Sequence, residues 1–197
     1  MALTPSTMLE LGTPLPPFRL PSVLAAADAP PLESSSLDDR PVLVLFLSAH
    51  CPYVKHIEAE LSRLAADYGD RIQLIGIASN SLHTHPQDGP DGLRAQARSR
   101  GWTFPYLHDA TQSVARAFQA ACTPDPFLFD SRHHLVYRGQ LDGSRPGNAQ
   151  PCDGHDLRAA LDAVLSGQTV NPDQRPSIGC NIKWHPQPDG TEQPQAG

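Results

Sequence analysis

Val42-Leu43-Val44-Leu45-Phe46-Leu47-Ser48-Ala49-His50-Cys51-Pro52-Tyr53-Val54 carries two patterns in succession. Val42 to Leu47 is apolar on both faces, as in a central parallel strand covered by helices. From Tyr53 the period changes. Val54, Ile57, Leu61, Leu64 and Ala65 recur at helical spacing, interleaved with Lys55, Glu58, Glu60 and Arg63. Cys51 falls at the junction, where the unpaired N–H groups of a helix start can stabilise a thiolate. Pro52 suits the first turn of that helix, since it has no N–H to satisfy. Two readings of Cys51 stand side by side. It is a reactive, solvent-reachable nucleophile, or it is a small core residue, because unpaired cysteines are among the most buried residue types.

Outward from this stretch, Ile72 to Ile77 reads as a second buried strand that closes a βαβ unit. A polar loop over Ser79 to Asp91 precedes a helix over Leu93 to Arg100, stopped by Gly101. Phe104 to Leu107 is a short extended piece, and Asp109 or Thr111 can cap a helix through Val114, Ala117 and Phe118. Phe127–Phe129 and Leu135–Tyr137, separated by a polar turn, form a hairpin pattern. Leu157, Leu161, Val164 and Leu165 give one apolar face to a last helix over Asp156 to Leu165. The order is β-α-β-α-β-β-α. Ahead of it lies a lead-in with a Pro-punctuated extended run over Leu11 to Pro21 and a short helix near Leu24 to Ala27. The expected organisation is a flexible N-terminus over 1–10, one domain over 11–184 and a disordered tail over 185–197.

Composition narrows the function. The 197 residues carry a net charge of -6, from 15 basic and 21 acidic side chains, with no basic block, so nucleic acid and anionic membranes are not expected partners. The longest apolar run is too short to span a bilayer. Met1 to Pro21 lacks a basic head followed by an apolar core, so the expected location is cytoplasmic. There, transient or catalytic disulfides are favoured over permanent ones. Cys51, Cys122, Cys152 and Cys180 do not follow a zinc-site spacing, His50, Cys51 and His56 lie too irregularly for a helical ligand pair, and His83 with His85 sits in a turn-rich segment. No metal and no cofactor is expected.

The segments His50–Val54 (His-Cys-Pro-Tyr-Val), Cys122–Asp125 (Cys-Thr-Pro-Asp), Tyr137–Asp142 and Ile178–Trp184 (Ile-Gly-Cys-Asn-Ile-Lys-Trp) resemble those of the peroxiredoxin-like, AhpC/TSA-type group of the thioredoxin superfamily. The resemblance covers roughly residues 11 to 184. It implies an α/β, thioredoxin-like fold, a central mixed sheet flanked by helices with an N-terminal extension and a C-terminal docking segment. Cys51 matches the first cysteine of a thioredoxin Cys-x-x-Cys pair, while Val54 stands at the second. Leu47, Cys51 and Val54 also depart from the Pro, Thr and peroxidatic Cys of peroxiredoxins. Thr123-Pro124 matches the Thr-cis-Pro of thioredoxin-like folds, which turns the chain beside the nucleophile and leaves backbone groups to pair with substrate.

On that resemblance the catalytic candidates are Cys51, Cys122, Cys180 and His50, and the substrate-binding candidates are Pro52, Tyr53, Thr123 and Pro124. With Val54 silent, the resolving thiol comes from elsewhere. Cys122 is favoured, because the Pro124 loop brings it near Cys51. Cys180 is the alternative, on a segment that docks over the site and can move. Cys152, in a loop, is the least suited. His50 favours the thiolate or merely flanks it, and Tyr53 offers a hydroxyl or packs. Arg138, Asp142 and Arg145 form a polar group that positions an anionic substrate or pairs at the surface. Three functions follow: a thiol-disulfide oxidoreductase, a thiol-dependent peroxidase of antioxidant type, or a non-catalytic binding or redox-sensing module. The expected partners are a disulfide-containing or peroxide substrate and a thiol reductant such as thioredoxin or a low-molecular-weight thiol.

Overall fold

A computed structural model describes residues 3–186. Its elements in chain order are β1 (Leu3–Pro5), β2 (Arg19–Leu20), β3 (Leu32–Glu33), β4 (Val42–Phe46), α1 (Pro52–Tyr68), β5 (Gln73–Ala78), α2 (Pro90–Arg100) and β6 (Tyr106–His108). There follow α3 (Ser113–Ala117), β7 (Cys122–Thr123), β8 (Asp125–Phe129), β9 (Leu135–Tyr137), α4 (His155–Leu165) and β10 (Ile178–Asn181).

The main sheet has the order β6-β5-β4-β8-β9. β4 pairs in parallel with β5, and β5 with β6, while β8 runs antiparallel to β4 and β9 antiparallel to β8. The two-faced pattern of β4 accounts for its central place. Leu43 and Leu45 pack with Val54, Leu61 and Leu64 of α1 and with Leu157 and Leu161 of α4. Val42, Val44 and Phe46 face the other layer, with Phe118, Phe127 and Phe129. Each such side chain contributes about 1.5–3 kcal/mol when fully buried. In that second layer Phe46 meets Phe118 and Phe127 edge-on, with ring centroids 5.3 and 5.8 Å apart.

A second, three-stranded antiparallel sheet has the order β1-β10-β7 and positions the site. β10 is its middle strand: Cys180 faces Thr123 on one side and Leu3 on the other. Residues 3–5, expected within a flexible N-terminus, are therefore a paired strand. Periodicity could not reveal this, because the partner lies at the far end of the chain. Leu24–Ala27 forms turns and bends in place of the expected helix. Val23 there is held by the Tyr106 carbonyl at 2.8 Å, and that anchoring overrides the alanine-rich propensity. The expected tail begins too early at 185. His185 is docked, its N–H on Gln112 Oε1 at 2.7 Å and its Nδ1 2.9 Å from Ser81 Oγ. The rest of the expected tail, 187–197, lies outside the described residues.

Candidate active site

Cys51 is the N-cap residue of α1, in extended backbone geometry, and its carbonyl accepts the Lys55 N–H at 3.0 Å. Pro52 begins the helix, so one unpaired amide of the first turn is removed outright. The Cys51 thiol donates to the Thr123 carbonyl at 3.2 Å and lies 2.9 Å from Cys180 Sγ. The Tyr53 N–H, the first amide the helix has to offer, bonds Cys180. Burial and the adjacent Cys51 thiol push the Cys180 thiol up, while Lys183 and the Tyr53 N–H act in the opposite sense.

The expected exposure of Cys51 is corrected: its relative exposure is 0% and that of Cys180 is 3%. β10 is the cause, since it lies directly over Cys51. Gly179 allows this approach. A Cβ there would fall 2.0 Å from the Thr123 carbonyl oxygen. The Thr123–Pro124 peptide is cis and adjoins Cys51, yet both residues are buried, because Ser177–Cys180 occupies the edge expected to face substrate. Ser177 Oγ also donates to the Pro124 carbonyl at 2.6 Å.

Cys122, the favoured resolving thiol, faces elsewhere. Its Sγ lies 3.6 Å from the Pro124 carbonyl oxygen and 4.0 Å from that of Ser177. Burial, with the Asp125 carboxylate beside it, pushes this thiol well up. Cys180 is thus the preformed neighbour, and its segment is a central strand rather than a mobile end. Cys152 is partly exposed, with Sγ 3.8 Å from the His56 carbonyl oxygen.

His50 Nδ1 is turned to Asp88 Oδ2 at 2.8 Å, and its ring stacks on His85 with centroids 4.3 Å apart. Asp88 holds the ring, and no hydrogen bond joins its Nε2 to the Cys51 sulfur. Tyr53 is half-buried and lines a small cavity with Pro124, Ile178 and Arg145. Arg145 is occupied by the Asp142 and Ser144 carbonyls and by Gln140 Oε1, and Asp142 accepts the N–H groups of Ser144, Asp153 and Gly154. Arg138 bonds Gln174. These three side chains brace loops.

Sequence reasoning missed Asp88. It ends a short 3-10 turn, is 1% exposed, and accepts from Ser48 Oγ, the Ala49 and His50 N–H groups, His50 Nδ1 and Asn80 Nδ2. Burial alone would raise its pKa, but hydrogen bonds from His50, Asn80 and Ser48 outweigh it and hold the carboxyl below its ordinary value. Ser48 Oγ in turn accepts the Cys51 N–H at 3.2 Å. Among the described residues, no group of three or more His, Cys, Asp or Glu is arranged to hold a metal ion, and no helix is long and apolar enough to cross a membrane.

No curated protein matches this chain. An uncharacterized conserved protein from Geobacillus kaustophilus has a similar crystal structure, with TM-score 0.90, 44% identity, and coverage of 95% of this chain and 99% of that chain. A hypothetical protein from Sinorhizobium meliloti 1021 is similar at TM-score 0.87 and 43% identity, covering 92% and 98%. A putative thiol:disulfide interchange protein DsbE from Chlorobium tepidum shares the fold alone, at TM-score 0.62 and 17% identity, covering 80% and 99%. The fold is thioredoxin-like. The AhpC/TSA family model matches residues 11–138. The chain therefore belongs to the AhpC/TSA family, a membership that supports a redox function carried by a thiol.

Proposed function

We propose that the protein is a thiol-disulfide oxidoreductase whose redox pair is Cys51 and Cys180. The observation that carries this reading is the 2.9 Å separation of the two sulfurs, on segments 129 residues apart. A disulfide requires the two sulfurs to close to about 2.05 Å. The Cys51 thiolate attacks a substrate disulfide, a Cys51–substrate bond forms, and the other substrate sulfur leaves and takes up a proton. Cys180 then attacks the Cys51 sulfur, and the second substrate sulfur leaves and takes up the proton that Cys180 gives up. The substrate gains two electrons, and the chain retains a Cys51–Cys180 disulfide. An external reductant in a reducing compartment such as the cytoplasm, the dithiol of thioredoxin or two low-molecular-weight thiols, is itself oxidised to a disulfide and returns the pair to the dithiol. Because both sulfurs lie below the surface, exchange requires a local opening of the segment over Cys51, of the sub-global kind that folded proteins undergo.

The same burial favours a second reading, in which the oxidant is as small as a peroxide. Cys51 would take one peroxide oxygen as a sulfenic acid and release an alcohol or water. Cys180 would then condense with it, releasing water. Stopped-flow mixing of the reduced protein with hydrogen peroxide and, separately, with a small disulfide decides between the readings, with acid-quenched peptide mapping of the products. Exchange reads as faster loss of thiols with the disulfide, and a Cys51–Cys180 peptide in the map. Recovery of Cys51 only as a sulfenic acid or an external adduct, with Cys180 still a thiol, sinks the paired mechanism in both forms.

A further inference from the structure

Two cysteines far apart in sequence must be held face to face, and one hydrogen-bonded unit reaches both of their segments. Asp88 grips the Cys51 side. Its carboxylate takes the Ala49 N–H at 2.8 Å, the His50 N–H at 3.2 Å and Ser48 Oγ at 3.0 Å, and Ser48 Oγ accepts the N–H of Cys51. Asn80 joins this carboxylate to the Cys180 side. Its Nδ2 donates to Asp88 Oδ2 at 2.6 Å, and its Oδ1 accepts the N–H of Lys183 at 2.8 Å. Lys183 follows Cys180 by three positions and is fixed further by the Ser81 N–H and Gln112 Nε2 on its carbonyl, both at 2.7 Å. We infer that Asn80 and Asp88 form a clamp that registers the two cysteine-bearing segments, making both of them positioning residues for the Cys51–Cys180 pair.

The residue types suit this role. Asn80 presents a donor to a carboxylate and an acceptor to an N–H at once, and the reversed amide would set oxygen against oxygen and N–H against N–H. Both side chains are buried, at 5% and 1% exposure, so water cannot take over lost bonds without cost. The bonds to Asp88 are also charge-assisted, the stronger kind. A clamp of this sort acts on the effective concentration of one sulfur at the other. Its loss lowers the stability of the disulfide relative to the dithiol. The inference rests on the redox reading above.

The test is the equilibrium in which protein dithiol and oxidised glutathione give protein disulfide and two reduced glutathiones, quenched in acid and read by mass spectrometry. Asn80→Ala and Asp88→Asn are compared with the native chain and with Tyr68→Phe, which loses a bond to Asp162 at the other end of α1. The clamp predicts that each of the first two lowers the disulfide-forming constant about tenfold, the factor made by about 1.4 kcal/mol, while Tyr68→Phe leaves it unchanged. Should either variant melt below the assay temperature, Ser48→Ala carries the test, since it removes only the hydroxyl between Asp88 and the Cys51 N–H and should lower the constant in the same direction. Folded variants with an unaltered constant overturn the clamp and leave the redox pair standing. A native chain that forms no Cys51–Cys180 disulfide overturns the redox reading, and the clamp's role with it.

Discussion

Gly179→Ala tests whether close approach of β10 to the Thr123–Pro124 turn holds the site together. Gly179 does not have a left-handed φ, so contact alone constrains it. The added Cβ would lie 2.0 Å from the Thr123 carbonyl oxygen and 2.6 Å from its carbon, against 3.4 Å where ordinary contact begins. The obstacle is the Thr123–Pro124 backbone, and no side chain can swing away. β10 must therefore back off by more than an ångström, or its pairing of Cys180 with Thr123 and Asn181 with Cys122 must open. Overpacking of this kind costs about 1–3 kcal/mol, and each ladder bond lost adds about 1 kcal/mol. A total near 3 kcal/mol lowers the melting temperature of a chain this size by about 6–12 °C. Cys180 is the next residue, so its sulfur withdraws from Cys51 and the yield of the Cys51–Cys180 disulfide falls. Circular dichroism melts and peptide mapping after mild oxidation read the two effects separately. A variant that melts within a degree or so of the native chain and oxidises normally would refute the packing argument.

Cys122→Ala should leave the Cys51–Cys180 disulfide forming at the native yield, whereas Cys180→Ser abolishes it; peptide mapping of both variants checks the assignment of the second sulfur. Burial raises the Asp125 carboxyl from its ordinary 3.8 to about 7, against the opposing bonds from Ser6, Ala121 and Cys122. The native state then binds the proton more tightly than the unfolded chain does, so the contribution is full below about pH 4 and is lost as pH rises through about 7, a span worth about 4 kcal/mol at most. Urea titrations between pH 4 and 8 should show this slope in the native chain and its flattening in Asp125→Asn. An equal slope in both would remove Asp125 as its source. Leu45→Ala, at a fully buried position of β4, should cost about 2–5 kcal/mol by denaturant unfolding, and a loss under 1 kcal/mol would contradict its central place.

The β4-α1-β5 unit was legible because its signals are local. Six consecutive apolar residues and a helical stripe beginning at Val54 need no knowledge of the rest of the chain. The hairpin of β8 and β9 and the last helix were legible for the same reason. The small sheet was not. Ile178-Gly179-Cys180-Asn181 has no apolar alternation, and β1 ends in a proline, so neither reads as a strand until each is laid beside the other. Leu24–Ala27 failed in the opposite sense, with helical propensity and no helical face. Asp88 sits among Pro86, Gln87 and Gly89 in a stretch without period, and its five donors come from segments 8 and about 40 residues away.

Which sulfur lies beside Cys51 was beyond sequence for a more specific reason. A Cys-x-x-Cys motif places both thiols on one helix start, and a scan of that helix then sees the whole pair. Here Val54 fills the second position and packs into the core with Leu61. The second sulfur must reach the same helix end from outside, so its identity depends on which distant segment pairs with β7. Cys122 lies on β7 itself and its thiol bonds the carbonyls of Pro124 and Ser177. Cys180 lies one strand over, opposite Thr123, and reaches the Tyr53 N–H that the helix leaves unpaired. A helix N-terminus favours whichever negative group sits over it. In this chain the residue at the N-cap and the residue that receives the first amide are different cysteines, so the anion-favouring end of α1 lies against both sulfurs rather than Cys51 alone.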